Sequence, residues 1–296
     1  MLTLTSLLFL LFLYSCPSNG AQNALVSVPD FGANPTKLQM SIYVPTKLAA
    51  SPAIILALHG CSGAGAGYYQ QTKYASLADT NGFIVIFPSS PHDNNCWDVA
   101  STKTLTHEGG GDSNGLANML RYTIQKYNAD PKKIFVTGTS SGGMMTNVMA
   151  ATYPDLIAAG SGYSGVAAGC LAGSPGSSPT TADPTCVDGK VHKSSEEWKQ
   201  VVKDMYSAWN GSYPKMQVWH GTADTFVNYP NLVEEIKEWE GVFGVSFKGN
   251  QTGVPQSGYT QMVFGDGDKL VAYSAAGVGH TVPVHEAVDL KWFGIT

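Results

Sequence analysis

The pattern of apolar and polar residues along the chain predicts strands that alternate with helices. Residues 53–60 (AIILALHG) and 83–90 (FIVIFPSS) are continuous apolar runs bounded by turn residues, which is typical of strands covered on both faces. Residues 38–45 (LQMSIYVP) instead alternate between apolar and polar, as expected of a half-buried antiparallel strand. Further predicted elements, in chain order, are helices over 68–82 and 112–131, a strand over 134–137, a helix over 141–153, strands over 157–161 and 216–221, a helix over 230–243, a strand over 269–275 and a helix over 284–293. This order indicates an α/β fold with a mainly parallel central sheet and helices on both faces.

The composition narrows the class of protein. Charged residues make up 13% of the 296 positions, against about 25% in an average soluble domain, and glycine is frequent at 33 residues. The net charge of −5 is accompanied by no basic block, so we expect no nucleic-acid partner. The segment LAGSPGSSPTTADPTC could be an interdomain linker, but the sheet pattern resumes after it and two cysteines bracket it. We therefore interpret it as a surface insertion and predict one domain over residues 21–296.

The N-terminal residues predict secretion. The apolar run Leu7–Leu13 is shorter than the roughly 20 residues of a membrane span and has the length of a signal-peptide core. Small residues, Ser18 and Gly20, stand at −3 and −1 of a cleavage site before Ala21. We therefore predict a signal peptide over residues 1–20 and no association of the mature chain with a membrane.

The cysteines fit an oxidising compartment. Cys16 is removed with the predicted signal peptide, which leaves four cysteines and three possible pairings. A Cys170–Cys186 disulfide would close a Pro/Ser/Gly-rich surface insertion and stabilise the fold by about 3 kcal/mol. Cys61–Cys96 is then the remaining pair. The alternative, a zinc site, has no Cys-x-x-Cys or paired-histidine spacing to support it, so no metal is expected.

A candidate nucleophile lies at the end of the strand that begins at residue 134. Residues 138–142 read Gly-Thr-Ser-Ser-Gly, which fits the G-x-S-x-G pattern of a nucleophile elbow, and a helix is predicted directly after it. The glycines suit a sharp turn in which neighbouring Cβ atoms would clash. Shifting the frame by one residue loses the leading glycine, so Ser140 is the predicted nucleophile.

A catalytic serine needs a base and an orienting acid, which follow it in that fold in the order acid, then histidine. His280 lies in a glycine-rich loop (AAGVGHTVP) after a predicted strand, whereas His285 falls in the last helix and is interpreted as a surface or packing residue. Asp224 follows the carboxyl end of a strand, where the functional groups of parallel sheets gather. Asp266 and Asp268 lie in a predicted hairpin turn, where aspartate is common, so they are not assigned a catalytic role. We therefore predict Asp224 as the acid and His280 as the base.

The loop after residue 58 (LHGCSG) is predicted to complete an oxyanion hole. The backbone N–H of Ser141, directly after the nucleophile, would be one donor, and the N–H of Cys61 would be the second by position. A Cys61–Cys96 disulfide would hold this loop rigid and bring Trp97 to the cleft, which makes Trp97 a candidate substrate contact.

Four other polar residues are predicted to act outside the reaction. His59 and His220 are each followed by glycine at a strand end, and both are interpreted as hydrogen-bonded structural residues. Asn210 and Asn250 begin N-x-[ST] sequons, which are predicted glycosylation sites if the chain is secreted.

These motifs together resemble the fungal enzymes of carbohydrate esterase family 1, the acetylxylan esterases and type B feruloyl esterases related to polyhydroxybutyrate depolymerases. The resemblance covers the mature chain and includes the segments LHGC, GFIVIFPSSP, LTHEGGGDSN, FVTGTSSGGMMTNVMAATYPDLIAAGSGYSG, PKMQVWHGTAD and GVGHTVPVH. It implies an α/β-hydrolase fold, no cofactor, and hydrolysis of esters on plant cell-wall xylan. It also implies Ser140 as nucleophile, Asp224 as acid, His280 as base, and the Cys61 and Ser141 N–H groups as oxyanion donors.

Two departures from the family pattern bear on the substrate. Many fungal acetylxylan esterases have tyrosine where this chain has Gly60, and many have tryptophan shortly before the second cysteine of the insertion, where this chain reads TTADPTC. We expect an acetylxylan esterase that acts as a monomer, with a feruloyl esterase as the alternative. A polyester depolymerase and a non-catalytic carbohydrate-binding scaffold are further alternatives.

Overall fold

A computed structural model describes residues 23–296, and one ten-stranded sheet forms its centre. The predicted signal peptide, residues 1–20, lies outside the described residues. The strands are β1 Leu25–Val28, β2 Gln39–Tyr43, β3 Ile54–Leu58, β4 Ile84–Ser89, β5 Ile134–Thr139, β6 Ala159–Tyr163, β7 Lys215–Gly221, β8 Phe247–Thr252, β9 Tyr259–Phe264 and β10 Leu270–Ala275. The helices are α1 Gly65–Gln71, α2 Tyr74–Asn81, α3 Asp112–Tyr127, α4 Ser141–Thr152, α5 Pro184–Val187, α6 Ser195–Met205, α7 Pro230–Phe243 and α8 Glu286–Phe293.

The sheet is parallel in its middle and antiparallel at both edges. Its strand order is β1-β2-β4-β3-β5-β6-β7-β10-β9-β8. The six strands from β4 to β10 in that order pair in parallel, and β2 pairs antiparallel with both β1 and β4, as its alternating sequence predicted. The second edge is the antiparallel set β10, β9 and β8. Parallel pairing places the carboxyl ends of β3, β5, β7 and β10 along one border of the sheet.

Helices cover both faces of this sheet, so the predicted fold class is confirmed. Successive side chains of β3 point to opposite faces of the sheet. Leu56 packs in a core with residues of α3 and α4, whereas Ile55 packs with residues of α1, α2 and α8. The central strands β3 and β5 are buried along their whole length, which explains their uninterrupted apolar runs. Among residues 23–296, no helix is long and apolar enough to cross a membrane.

Most predicted elements begin and end within a few residues of the observed ones, and the helix over 230–243 matches α7 in full. The single helix predicted over 68–82 is wrong, because the chain leaves helical geometry at Thr72 and forms α1 and α2. The Glu286 carboxylate of α8 accepts a hydrogen bond from the Lys73 N–H at 2.8 Å and so satisfies the start of α2. A residue distant in sequence therefore helps to stabilise the boundary between the two helices.

Both disulfides have the favoured pairing. Cys61 is joined to Cys96 and Cys170 to Cys186, so these four cysteines are not available for a zinc site. The second disulfide closes the insertion over residues 170–186, as predicted, and the short helix α5 lies at its end.

Candidate active site

Ser140 stands in a sharp turn between β5 and α4, as the G-x-S-x-G pattern predicted. Its backbone has φ 58° and ψ −122°, a region that side-chain-bearing residues rarely adopt. The turn is held from both sides, because the Ser140 N–H donates to the Tyr163 carbonyl at 2.8 Å and the Ser140 carbonyl accepts from the Met144 N–H at 2.9 Å. The hydroxyl is thereby fixed above the carboxyl end of the sheet, at the N-terminus of α4.

The glycines around Ser140 permit a close approach of backbone to backbone. A Cβ at Gly138 would lie 2.4 Å from the Gly142 carbonyl oxygen, and a Cβ at Gly142 would lie 2.2 Å from the Leu58 carbonyl oxygen. Both distances are far inside van der Waals contact. The pattern therefore requires glycine at these positions for packing of α4 against β3 and β5.

His280 and Asp224 come together with Ser140 in one hydrogen-bonded chain. The His280 Nε2 atom lies 2.8 Å from Ser140 Oγ, and His280 Nδ1 lies 2.7 Å from Asp224 Oδ2. Because an ionised carboxylate only accepts hydrogen bonds, Nδ1 carries the ring proton and Nε2 is free to accept the proton of the serine. The three side chains come from the loops after β5, β7 and β10, at the same border of the sheet.

The environment of Asp224 keeps its carboxylate ionised. The side chain is fully buried, and its second oxygen, Oδ1, accepts hydrogen bonds from the N–H groups of Phe226 at 3.0 Å and Val227 at 2.9 Å. Burial raises the pKa of Asp224, but the hydrogen bonds from His280 and Val227 outweigh it, so the pKa lies below its usual value. The carboxylate can thus orient His280 without taking its proton.

The loop that carries Cys61 passes close to Ser140. A Cβ at Gly60 would lie 3.3 Å from Ser140 Cβ, so this position faces the reactive hydroxyl directly. His59 holds the loop in shape, with Nδ1 2.7 Å from the Gly60 carbonyl oxygen and Nε2 accepting from the Ser90 N–H at 3.3 Å. Burial lowers the pKa of His59, which fits this neutral, structural role.

Trp97 does not line the cleft, so the expectation that it contacts substrate is wrong. Its side chain is fully buried behind the site, where the indole N–H donates to the His59 carbonyl at 2.8 Å. Its backbone N–H donates to Ser141 Oγ at 2.8 Å. The Cys61–Cys96 disulfide does draw Trp97 toward the site, but its large apolar ring packs into the core between α3 and α4. Trp97 braces the two segments that carry the predicted oxyanion donors.

A cavity of about 630 Å³ opens at Ser140 and His280. One wall is the Cys61 loop together with α1, and the floor contains Thr139 and Met144. The opposite wall comes from the disulfide-closed insertion and its continuation, with the lining residues Ser177, Ser178, Pro179, Ala182, Pro184 and Val187. Most of these side chains are apolar or uncharged, so the cavity suits a neutral ligand.

Asp93 fastens this wall to the rest of the site. Its carboxylate accepts hydrogen bonds from the N–H groups of Ser177 at 2.7 Å and Ser178 at 2.9 Å, and from Thr181 Oγ at 2.8 Å. Asp93 lies three residues before Cys96, so the same short segment is tied to the insertion and, through the disulfide, to the Cys61 loop. Nothing in the local sequence of Asp93 marked it for this position.

Phe226 is a second residue that sequence reasoning missed. Its side chain is 71% exposed, lines the mouth of the cavity, and lies with its ring centre 5.8 Å from that of His280. The signal that could have found it is its position two residues after Asp224, in the loop at the carboxyl end of β7.

The remaining predicted residues lie away from the cavity. His285 precedes α8 and stacks on Trp219 with ring centres 4.9 Å apart, which agrees with its interpretation as a packing residue. The predicted glycosylation sites Asn210 and Asn250 are both exposed, and Asn250 lies on the edge strand β8.

Comparison with known proteins identifies the class. Residues 38–179 match the model of the family described as esterase PHB depolymerase. The chain is 50% identical over 273 residues to feruloyl esterase B of Talaromyces funiculosus, covering 92% of this chain and 77% of that protein. It is 49% identical to acetylxylan esterase A of Aspergillus ficuum, covering 92% of this chain and 89% of that protein. The structure of acetyl xylan esterase from Aspergillus awamori superposes with a TM-score of 0.87 at 48% identity, covering 92% of this chain and all of that one.

The fold and its site therefore define an α/β-hydrolase with the architecture of an ester hydrolase. More narrowly, the chain belongs to the esterase family that contains these feruloyl esterases B and acetylxylan esterases. The resemblance first seen in the sequence motifs is confirmed.

Proposed function

We propose that the protein is a secreted serine carboxylesterase that removes O-acetyl groups from xylan, with Ser140 as nucleophile, His280 as general base and Asp224 as the residue that orients it. The observation that carries the proposal is the chain of hydrogen bonds from Ser140 Oγ through His280 to Asp224, at 2.8 and 2.7 Å, facing an open cavity. The disulfides support an oxidising compartment, and a monomer is proposed with it.

The reaction proceeds in two steps. His280 Nε2 takes the hydroxyl proton of Ser140 while Ser140 Oγ attacks the ester carbonyl. His280 then gives this proton to the departing alcohol, and an acyl-enzyme remains. A water molecule then gives its proton to His280, its oxygen attacks the acyl carbon, and the acid is released as Ser140 recovers its proton. We assign the N–H groups of Cys61 and Ser141 to the developing oxyanion, where each donor contributes about 2.7–4 kcal/mol.

The decisive experiment is the substitution Ser140→Ala. We expect the variant to fold like the wild type but to lose hydrolysis of acetylated xylan and labelling by a fluorophosphonate. Ser76→Ala, an exposed serine of α2, is the control and should retain both. Undiminished turnover by a clean preparation of the Ser140 variant would refute the proposal. A wild-type chain that neither labels nor hydrolyses esters would favour the non-catalytic scaffold.

A feruloyl esterase is the second candidate, and the cavity favours it. Gly60 places no side chain beside Ser140, where a Cβ would lie 3.3 Å from Ser140 Cβ, and the volume of about 630 Å³ exceeds what an acetyl group needs. Acetate and ferulate released from acetylated glucuronoxylan and feruloylated arabinoxylan, measured side by side, distinguish the two. Dominant acetate release supports the first proposal, and dominant ferulate release supports the second.

A further inference from the structure

A histidine that the proposed mechanism does not use lies directly behind Asp224. His220, in β7, is fully buried, and its Nε2 lies 2.8 Å from the Val227 carbonyl oxygen, to which it donates. The same nitrogen is 3.5 Å from Asp224 Oδ2, the oxygen that also receives the hydrogen bond of His280. A ring N–H of His220 thus sits beside the same carboxylate oxygen that His280 contacts.

The other ring nitrogen faces a buried glutamate. His220 Nδ1 is 3.9 Å from Glu235 Oε2 in α7, and neither atom has a hydrogen-bond partner within residues 23–296. The second oxygen, Glu235 Oε1, accepts a hydrogen bond from Asn147 Nδ2 at 2.7 Å. With no proton between Nδ1 and Oε2, two lone pairs would face each other, and the buried negative charge of Glu235 would have only the Asn147 amide as a partner, which is unfavourable. The pair therefore holds a proton.

The groups around His220 favour placing that proton on the ring. The carboxylates of Asp224 and Glu235 flank it, and the Val227 carbonyl accepts from Nε2. Burial lowers the pKa of His220, but Glu235, Val227 and Asp224 together raise it above its ordinary value. Burial also raises the pKa of Glu235, against the opposing effect of His220 and Asn147. The contacts decide between the two sites, because acceptor oxygens flank the ring of His220, whereas the Asn147 amide donates to Glu235 and favours its ionised form. Two more titratable groups face this region: burial keeps Glu238 neutral by raising its pKa well above the ordinary value, and Tyr229 presents its ring edge-on to His220, with centres 6.1 Å apart.

We propose that His220, positively charged and paired with Glu235, is a positioning residue that holds the Asp224 carboxylate ionised and in place against His280. The inference rests on the proposed function, because it concerns the same site. Charges then alternate along Glu235, His220 and Asp224, and a second positive charge on His280 is opposed by that of His220. The buried pair consequently influences the pH at which activity is lost on the acidic side of the profile.

The test compares Glu235→Gln with Glu238→Gln, the same substitution at an equally buried glutamate one turn along α7. The readout is the pH profile of kcat/KM for 4-nitrophenyl acetate. Removing the Glu235 charge leaves His220 neutral, so the site loses the positive charge that opposes a second one, and the acidic limb of the profile moves up by about half a pH unit. Glu238→Gln should leave the limb in place. Coincident profiles for both variants and the wild type would overturn the proposal.

A second measurement needs no variant. In ¹⁵N-histidine-labelled wild type, we expect one ring with both nitrogens protonated at pH 8 and with N–H protons that exchange slowly with water, because His220 is fully buried. The absence of such a ring at pH 8 overturns the inference whether or not the protein turns over esters. Failure of the proposed function would show differently, as a wild type that neither hydrolyses 4-nitrophenyl acetate nor labels with a fluorophosphonate.

Discussion

At Ser140 the proposed chemistry depends on a strained backbone, and the neighbouring glycines make that backbone possible. Gly142→Ala should destabilise the fold by about 1–3 kcal/mol or more, because the new Cβ would meet the Leu58 carbonyl oxygen at 2.2 Å. The matched control is Gly67→Ala in α1, where a Cβ has nothing within 4 Å and helix propensity favours alanine by up to about 1 kcal/mol. Urea unfolding measures both. Equal stability of the two variants would contradict the packing argument.

The exposed position of Phe226 leads to a prediction about substrate binding rather than about the fold. Its exposed ring beside His280 offers a flat apolar surface to a sugar or aromatic ring of a bound polymer. Phe226→Ala should raise KM for acetylated xylan about fivefold while kcat on 4-nitrophenyl acetate changes little. Phe247→Ala, which removes another exposed phenylalanine on the distant edge strand β8, is the control. Equal KM values for the two variants on xylan would refute a binding role.

The site divides into residues that the sequence identifies and residues that it does not. Ser140, Asp224 and His280 were predictable, because each follows a buried strand in the order that parallel pairing brings to one border. Asp93 and the pair of His220 and Glu235 were not, because their roles depend on contacts between segments distant in sequence. Trp97 was misplaced for the same reason: its position beside a cysteine indicates proximity to the site but not which way the ring points.

At the scale of elements, the strands β1, β8 and β9 were not predicted, and β8 shows one reason. The edge strand β8 (FKGNQT) is exposed along nearly all of its length and pairs only with β9, so no apolar alternation marks it. The break between α1 and α2 is likewise silent in the sequence, since the residue that caps α2 comes from α8. The buried strands β3 and β5, whose sequences reflect contacts on both faces, were predicted within a few residues.

The disulfide-closed insertion is the element on which substrate size should depend. Asp93→Ala removes three hydrogen bonds to a partly exposed carboxylate, so we expect a loss of about 1–2 kcal/mol of unfolding free energy and a looser cavity wall. We expect the larger acyl group to contact that wall more than the acetyl group does, so KM should rise more for 4-nitrophenyl ferulate than for 4-nitrophenyl acetate. Asp155→Ala, at an exposed site, is the control. A proportional rise with both esters would argue against a role in acyl selection.

At the scale of the whole molecule, one buried carboxylate ties the sheet to two helices. Asp289 of α8 accepts hydrogen bonds from Ser161 at 2.7 Å and Tyr163 at 2.8 Å in β6, from Gln217 in β7 at 2.6 Å, and from Tyr74 in α2. Burial raises its pKa to about 7 against the opposing effect of these hydrogen bonds. The fold therefore prefers the protonated acid, although the group would ionise near pH 4 in the unfolded chain.

Because the folded protein prefers the protonated form of Asp289, its stability should fall as pH rises. The stabilising effect of the proton is fully present below about pH 4, declines as pH rises toward 7, and is absent above it. In Asp289→Asn this contribution should vanish, because the amide cannot ionise. Its oxygen still accepts from Ser161 and Tyr163, and the Tyr74 hydroxyl can turn to Thr137 Oγ at 3.2 Å. Between pH 4.5 and 7.5, the wild type should therefore lose unfolding free energy relative to the variant, on the order of a few kcal/mol. Urea unfolding with the disulfides intact measures the difference, and Asp155→Asn controls for loss of a surface carboxylate.

A difference between wild type and Asp289→Asn that stays constant over this range would mean that Asp289 is ionised throughout, and that the four donors outweigh its burial.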